Sequence, residues 1–181
     1  FEHYYANSQW LNAMLEPAVV ALGFPLYQHL SAIKHSWRLH IIVLTVGALV
    51  SICLSFLLTI VIIKIPEIAV SLSYKAVTTP IGIALTQDAQ GNRSVTAFAI
   101  ILAGLFGALL GPWWLNYINA RSAKAQGLAI GAASHALGTA TISNISYEHG
   151  AYGSLALIVS AVMTAIVGPL LVDNFLIVFA G

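Results

Sequence analysis

The sequence predicts an all-α integral membrane protein: a multi-span helical bundle with two discontinuous, re-entrant segments in an inverted repeat. Three observations carry this. Of 181 residues, 59% are hydrophobic and only 7% are charged, and mean hydropathy is +0.89; a soluble domain carries about 25% charge. The apolar residues fall into stretches of roughly 20, the length of a spanning helix. Two of those stretches are broken in their interior, at Lys75-Ala-Val-Thr-Thr-Pro80 and at Ser134-His135-Ala-Leu-Gly138-Thr139. Non-helical backbone at membrane depth is tolerated only where protein buries it or where it lines a cavity.

Residues 1–10 read as a short amphipathic segment without the charged start of a signal peptide. The chain opens at Phe1 rather than Met, so further sequence upstream is expected. Residues 11–30 are apolar but interrupted by Glu16-Pro17 and Pro25. That predicts a broken or bent span, because proline removes a main-chain donor and kinks a helix. Lys34, His35 and Arg38 mark a polar loop.

Residues 40–63 form the cleanest spanning helix. Gly47, Ser51, Ser55 and Thr59 recur at every fourth position, a small-residue stripe that permits close helix contact. Residues 66–87 are the first broken segment, and Asp88 to Arg93 form a polar turn. Residues 94–118 span again, with Ala99, Ala103, Gly107 and Gly111 as a second stripe. Trp113, Trp114 and Tyr117 at its end suit a membrane interface. Arg121 and Lys124 mark the next loop, and residues 126–146 are the second broken segment. Residues 151–172 span last, with Ala156, Ser160, Thr164 and Gly168 as a third stripe. Ordinary helix packing explains such stripes without a further role.

The order of spanning helix, broken segment and acidic turn occurs twice. A shift of 60 positions places Lys75 on His135, Thr79 on Thr139, Asp88 on Glu148 and Ser94 on Ser154. This divides a single transmembrane domain, residues 1–181, into halves at 40–93 and 94–172.

Each broken segment can either cross the membrane or enter to its middle and return. Ten residues at about 1.5 Å each reach the midplane of a ~30 Å core, so length permits both. Charge separates them. As hairpins, they place Lys34, Arg38, Arg121 and Lys124 on one side and Lys64 and Arg93 on the other; as crossings, they divide the six evenly. The positive-inside rule favours hairpins, with the 31–39 and 119–125 loops cytoplasmic. Hairpins separated by one span enter from opposite faces, the symmetry that alternating access uses.

The residues at the breaks suit a small anion. Thr78 and Thr79 offer hydroxyls, and Pro80 can open a half-helix whose free N–H groups attract a carboxylate. Lys75 adds a full positive charge. At the second break, Ser134, His135 and Thr139 supply polar contacts and Gly138 permits unusual backbone angles. His135 titrates near neutral pH and can couple transport to protons. Duller roles stand beside these: Lys75 pairing with Glu67 two turns earlier, His135 bonding a facing carbonyl, and hydroxyls bonding their own helix. Glu16-Pro17 reads as an interfacial helix start, and Asp88 and Glu148 as solvated turn residues.

Other functions are disfavoured. A net charge of +1 argues against a nucleic-acid partner. Cys53 is the single cysteine, so neither a disulfide framework nor a cysteine metal site is expected. No cofactor is expected. Ser134 beside His135 is no nucleophile elbow, and no glycine-rich phosphate loop occurs, so the chain does not read as an enzyme.

Three stretches carry a resemblance: Leu15-Glu-Pro-Ala-Val-Val-Ala-Leu-Gly-Phe-Pro-Leu-Tyr27, Lys75-Ala-Val-Thr-Thr-Pro-Ile81 and Gly131-Ala-Ala-Ser-His-Ala-Leu-Gly-Thr-Ala140. With them the chain resembles the LrgB/CidB family, over essentially its whole length and most specifically in the third stretch; YohK-type members look most similar. The family commonly has Ser after the lysine of the second stretch, where this chain has Ala76. The resemblance implies two functions. One is secondary transport of small hydroxy- or keto-carboxylates of the glycolate, glycerate, pyruvate or 3-hydroxypropionate type, as in the plastid glycolate/glycerate relatives. Lys75, Thr78, Thr79 and Pro80 would then form one half of the substrate site and Ser134, His135, Gly138 and Thr139 the other, with H⁺ or Na⁺ coupling. The alternative is an antiholin-like regulator of murein hydrolase activity and autolysis, acting with a small holin-like membrane protein of the LrgA/CidA/YohJ type. Either implies the bacterial inner membrane, and an oligomer is expected.

Overall fold

The computed structural model describes residues 23–28 and 30–179. The expectations for residues 1–10 and for Glu16-Pro17 lie outside the described residues. Among those described, all regular structure is helical: α1 (Gly23–Gln28), α2 (Leu30–His35), α3 (Trp37–Ile62), α4 (Pro66–Ser73), α5 (Thr79–Asp88), α6 (Arg93–Tyr117), α7 (Ala123–Ser143) and α8 (Tyr147–Phe179).

Three of these, α3, α6 and α8, are long and apolar enough to cross a membrane. Their outer faces carry large exposed apolar side chains, among them Leu54, Val61, Phe98, Ile101, Phe106, Ile166 and Leu170. Apolar exposure on that scale fits lipid rather than water. The spans alternate in direction. Near the start of α3, Ile33 packs with Ala151 and Tyr152 of α8, and the rings of His40 and Tyr152 meet edge to face at 5.4 Å. This defines the near end; α3 and α8 run from it, and α6 runs back to it.

Both broken segments are hairpins. α4 and α5 leave the far end and return there: Asn92 Nδ2 donates to Glu67 Oε1 at 3.2 Å, and Asn92 N donates to Ser71 Oγ at 2.7 Å. Glu67, Asp88 and Asp173 border one shallow cleft at that end. The second hairpin is folded within α7. The backbone leaves helical geometry at Ser134 (φ −129, ψ 15) and His135 (φ 40, ψ −135). The segment then doubles back. Gln126 Oε1 lies 3.1 Å from His149 Nε2, and Ile130 and Ile142, one on each leg, share a cluster with Leu115. A straight α7 would put its start far from the start of α8.

The two hairpins therefore enter from opposite ends. Lys34, Arg38, Arg121 and Lys124 gather at the near end and Lys64 and Arg93 at the far end, the four-against-two division that charge favoured. The ends of α3, α5 and α6 are closed by left-handed residues, Lys64 (φ 60), Gln90 (φ 57) and Asn119 (φ 57). After two of them the main chain closes a six-to-one bond, Gly91 N to Thr86 O at 2.8 Å and Ala120 N to Leu115 O at 2.9 Å, which satisfies the last carbonyls of each helix.

Candidate functional site

The first break is the turn Tyr74–Val77 between α4 and α5. Lys75 is half-buried there, and its ammonium donates to Ser55 Oγ on α3. Ser55 is its hydrogen-bond partner among the described residues, so the sequence alternative of pairing with Glu67 is not what forms; Glu67 bonds Asn92 instead. An ammonium has three donors, and Ser55 takes one. Thr78 precedes α5 in extended backbone (φ −68, ψ 148) and makes no side-chain cap. Thr79 and Pro80 open the helix, Thr79 half-buried and Pro80 exposed. The Pro80 ring thus faces outward, although it sits where a helix start tolerates the missing donor.

At the second break all four expected residues, Ser134, His135, Gly138 and Thr139, are buried. His135 Nε2 lies 2.9 Å from the carbonyl oxygen of Ile100 on α6, so the ring nitrogen donates. Thr139 Oγ1 donates to His135 O at 2.8 Å, with Gly153 O of α8 at 3.4 Å. These are the duller roles foreseen for a histidine and a hydroxyl. Among the described residues, Ser134 Oγ is buried without a hydrogen-bond partner, as are Ser160 Oγ, Tyr74 Oη and both ring nitrogens of His40.

One expectation is corrected. Gly138 does not supply the unusual backbone angle: no described glycine has positive φ, and the left-handed residue is His135. Gly138 matters for space. A Cβ there would crowd Ser134 and come 2.8 Å from Ile130 Cγ2 across the bend. The stripe on α6 acts the same way, since a Cβ at Gly107 would fall on the Ser134 hydroxyl and one at Gly111 on the end of Ile130.

Both hairpin tips reach one cleft of about 470 Å³ between α3 and α7, open on one side, where Val43, Gly47, Ala125, Ala129 and Ala133 are exposed. Ala76 comes from the first tip, Ala132 and Ala133 from the second. Val43, Leu44, Gly47, Ala48 and Ser51 of α3 close one side, Ala125, Leu128 and Ala129 of α7 another, and Ser160 and Thr164 of α8 complete the wall. None of the eight residues expected from the sequence lines it; Lys75 and Ser134 are each one position from a residue that does. Sequence reasoning missed Ser160 because it is one member of a packing stripe, and a stripe carries no sign of which member faces a void.

The bundle and its two breaks define a class: a polytopic helical membrane protein with opposed re-entrant hairpins whose tips meet beside a cleft. The chain belongs to the LrgB-like family, which matches residues 1–173. It is similar to the holin-like protein CidB of Staphylococcus epidermidis, 32% identical over 179 residues, covering 97% of this chain and 76% of the relative. CidB of Staphylococcus aureus is 30% identical over the same lengths, and YxaC of Bacillus subtilis is 32% identical. No solved structure matches the chain.

Proposed function

We propose that this chain is a holin-like membrane protein that modulates murein hydrolase activity, and so autolysis, together with a small holin-like partner. The observation that carries the reading is the similarity, over 97% of this chain, to proteins named holin-like CidB. The protein acts without catalysing a reaction, as an oligomer in the bacterial inner membrane, with the 31–39 and 119–125 loops on the cytoplasmic side. The test is detergent-induced autolysis and murein hydrolase zymography in cells lacking their own relatives, with and without the chain and its partner. A lysis rate that shifts with the chain, and shifts further with the partner, is expected. Unchanged lysis in cells with normal levels of the protein overturns the reading.

A second reading is favoured by one structural observation, the half-buried ammonium of Lys75 beside a cavity that both hairpin tips reach. An intramembrane cation is costly without a function or a counter-charge. In this reading the chain carries small monocarboxylates, coupled to H⁺ or Na⁺, with halves 40–93 and 94–172 rocking around the site. The relatives' names do not speak of transport, so this reading stands on geometry. Uptake of labelled glycolate, pyruvate and 3-hydroxypropionate into proteoliposomes tests it. Saturable uptake that Lys75→Ala abolishes is expected; wild-type uptake indistinguishable from empty vesicles removes it.

A further inference from the structure

We infer that the cleft between α3 and α7 binds an amphipathic monoanion, its acid group at the end nearer Lys75 and a several-carbon aliphatic body along the alanine-lined wall of α7. The inference rests on the transport reading and narrows it.

Two independent observations point to a ligand. The first is Ser160. It is 4% exposed, lines the cavity from α8, and its hydroxyl has no hydrogen-bond partner among the described residues. A buried hydroxyl without a partner costs free energy that a bound polar group would recover. The second is the placement of charge. Ser51 lines the cavity, and Ser55, one turn further along the same face of α3, holds the Lys75 ammonium. Ala76, the neighbour of Lys75, is itself in the wall. The cation is thus held one helical turn beyond the lining residue Ser51, outside the wall itself.

The rest of the wall sets the body of the ligand. A cavity of about 470 Å³ falls within the usual range for small-molecule sites, and it exceeds what a two- or three-carbon acid fills. Its polar side chains are three hydroxyls, Ser51, Ser160 and Thr164, and the remainder is Val, Leu, Ala and Gly. Burying a densely hydroxylated acid there would leave hydroxyls without partners. An aliphatic chain loses nothing against Ala129 and Ala132, and a single oxygen on it can meet Ser160.

The experiment is binding of labelled hexanoate, 2-hydroxyhexanoate and glycolate to the full-length protein in nanodiscs, with uptake measured in parallel. Hexanoate is expected to bind saturably and more tightly than glycolate. Ala129→Leu should weaken hexanoate at least tenfold by filling the void; position 129 is exposed, so folding tolerates it. Ala133→Leu is the second test of the same kind. Ser160→Ala should weaken 2-hydroxyhexanoate several-fold and leave hexanoate unchanged. Glycolate uptake that persists in Ala129→Leu and Ala133→Leu, without hexanoate binding, overturns this inference and leaves transport standing. Loss of every uptake and binding signal in folded wild-type protein overturns both. Hexanoate binding that is unaffected by either leucine overturns the placement.

Discussion

His135 and Ile100 are joined across the bundle by a side-chain to main-chain hydrogen bond of 2.9 Å, Nε2 donating to the carbonyl of α6. That bond fastens the one described histidine with left-handed backbone (φ 40) to a helix 35 residues away. The ring packs against Gly104, where a Cβ would come 2.7 Å from Cε1. The bend of the second hairpin is thus held from α6 as well as by Thr139, whose hydroxyl donates to the His135 carbonyl.

His135→Ala removes the donor, leaves the Ile100 carbonyl with its intrahelical bond alone and keeps a non-glycine residue at positive φ. A loss of about 2 kcal/mol is expected. His135→Gly loses the same bond but relieves the backbone, recovering about 1 kcal/mol. Thermal unfolding in detergent should rank wild type above His135→Gly and that above His135→Ala. The reverse order of the two variants would mean that the bend is unstrained.

Gly107 and Ser134 touch so closely that a methyl at 107 would displace the tip of the hairpin. Gly107→Ala should cost about 1–3 kcal/mol through overpacking, and adding Ser134→Gly should recover most of it. Gly47 has nothing within 4 Å of an added Cβ, so Gly47→Ala should leave the melting temperature unchanged. Equal effects at 47 and 107 would refute the contact.

The hairpins can be tested by cross-linking. Glu67 and Asn92 meet at the far end, so Glu67→Cys with Asn92→Cys should form a disulfide under mild oxidation in a Cys53→Ser background. Impermeant maleimide should label Gln90→Cys from one side of the membrane and Ser146→Cys from the other. Absence of the cross-link, or labelling of 67 and 90 from opposite sides, would show that the first segment crosses.

Thr96 ties the first hairpin to α6. Its hydroxyl lies 2.8 Å from Thr86 Oγ1, 3.0 Å from Ser71 O and 3.2 Å from Asn92 O. Thr96→Val keeps the shape and strips this junction, which should lower stability by about 1–2 kcal/mol. Thr45→Val, removing a hydroxyl that among the described residues bonds its own helix at Ile41 O, should cost less. Similar losses at both positions would argue against the junction.

The three spans, the two breaks and their residue content are legible in the chain because each is a local property. A run of apolar residues shows its preference for lipid wherever it folds, and proline, lysine and histidine interrupt such a run in place. The hairpin reading follows from where six basic residues fall along the chain. The cavity was not legible. Ser160 looks like its stripe neighbour Ala156, and the difference between facing a neighbour and facing a void is set by helices far along the chain.

By itself, then, the sequence determined the solvent, the class and the places where the backbone must leave the helix. Bilayer hydrophobicity and main-chain hydrogen bonding demand these of any fold the chain adopts. Only the tertiary structure decided that both breaks turn back rather than cross, and that Ala76 and Ala132 share one wall while His135 and Thr139 bond main-chain carbonyls. A broken apolar segment satisfies a membrane in either arrangement. Long-range contacts distinguish them: Glu67 with Asn92, Gln126 with His149, and Gly107 against Ser134, close fits between residues that no local pattern connects.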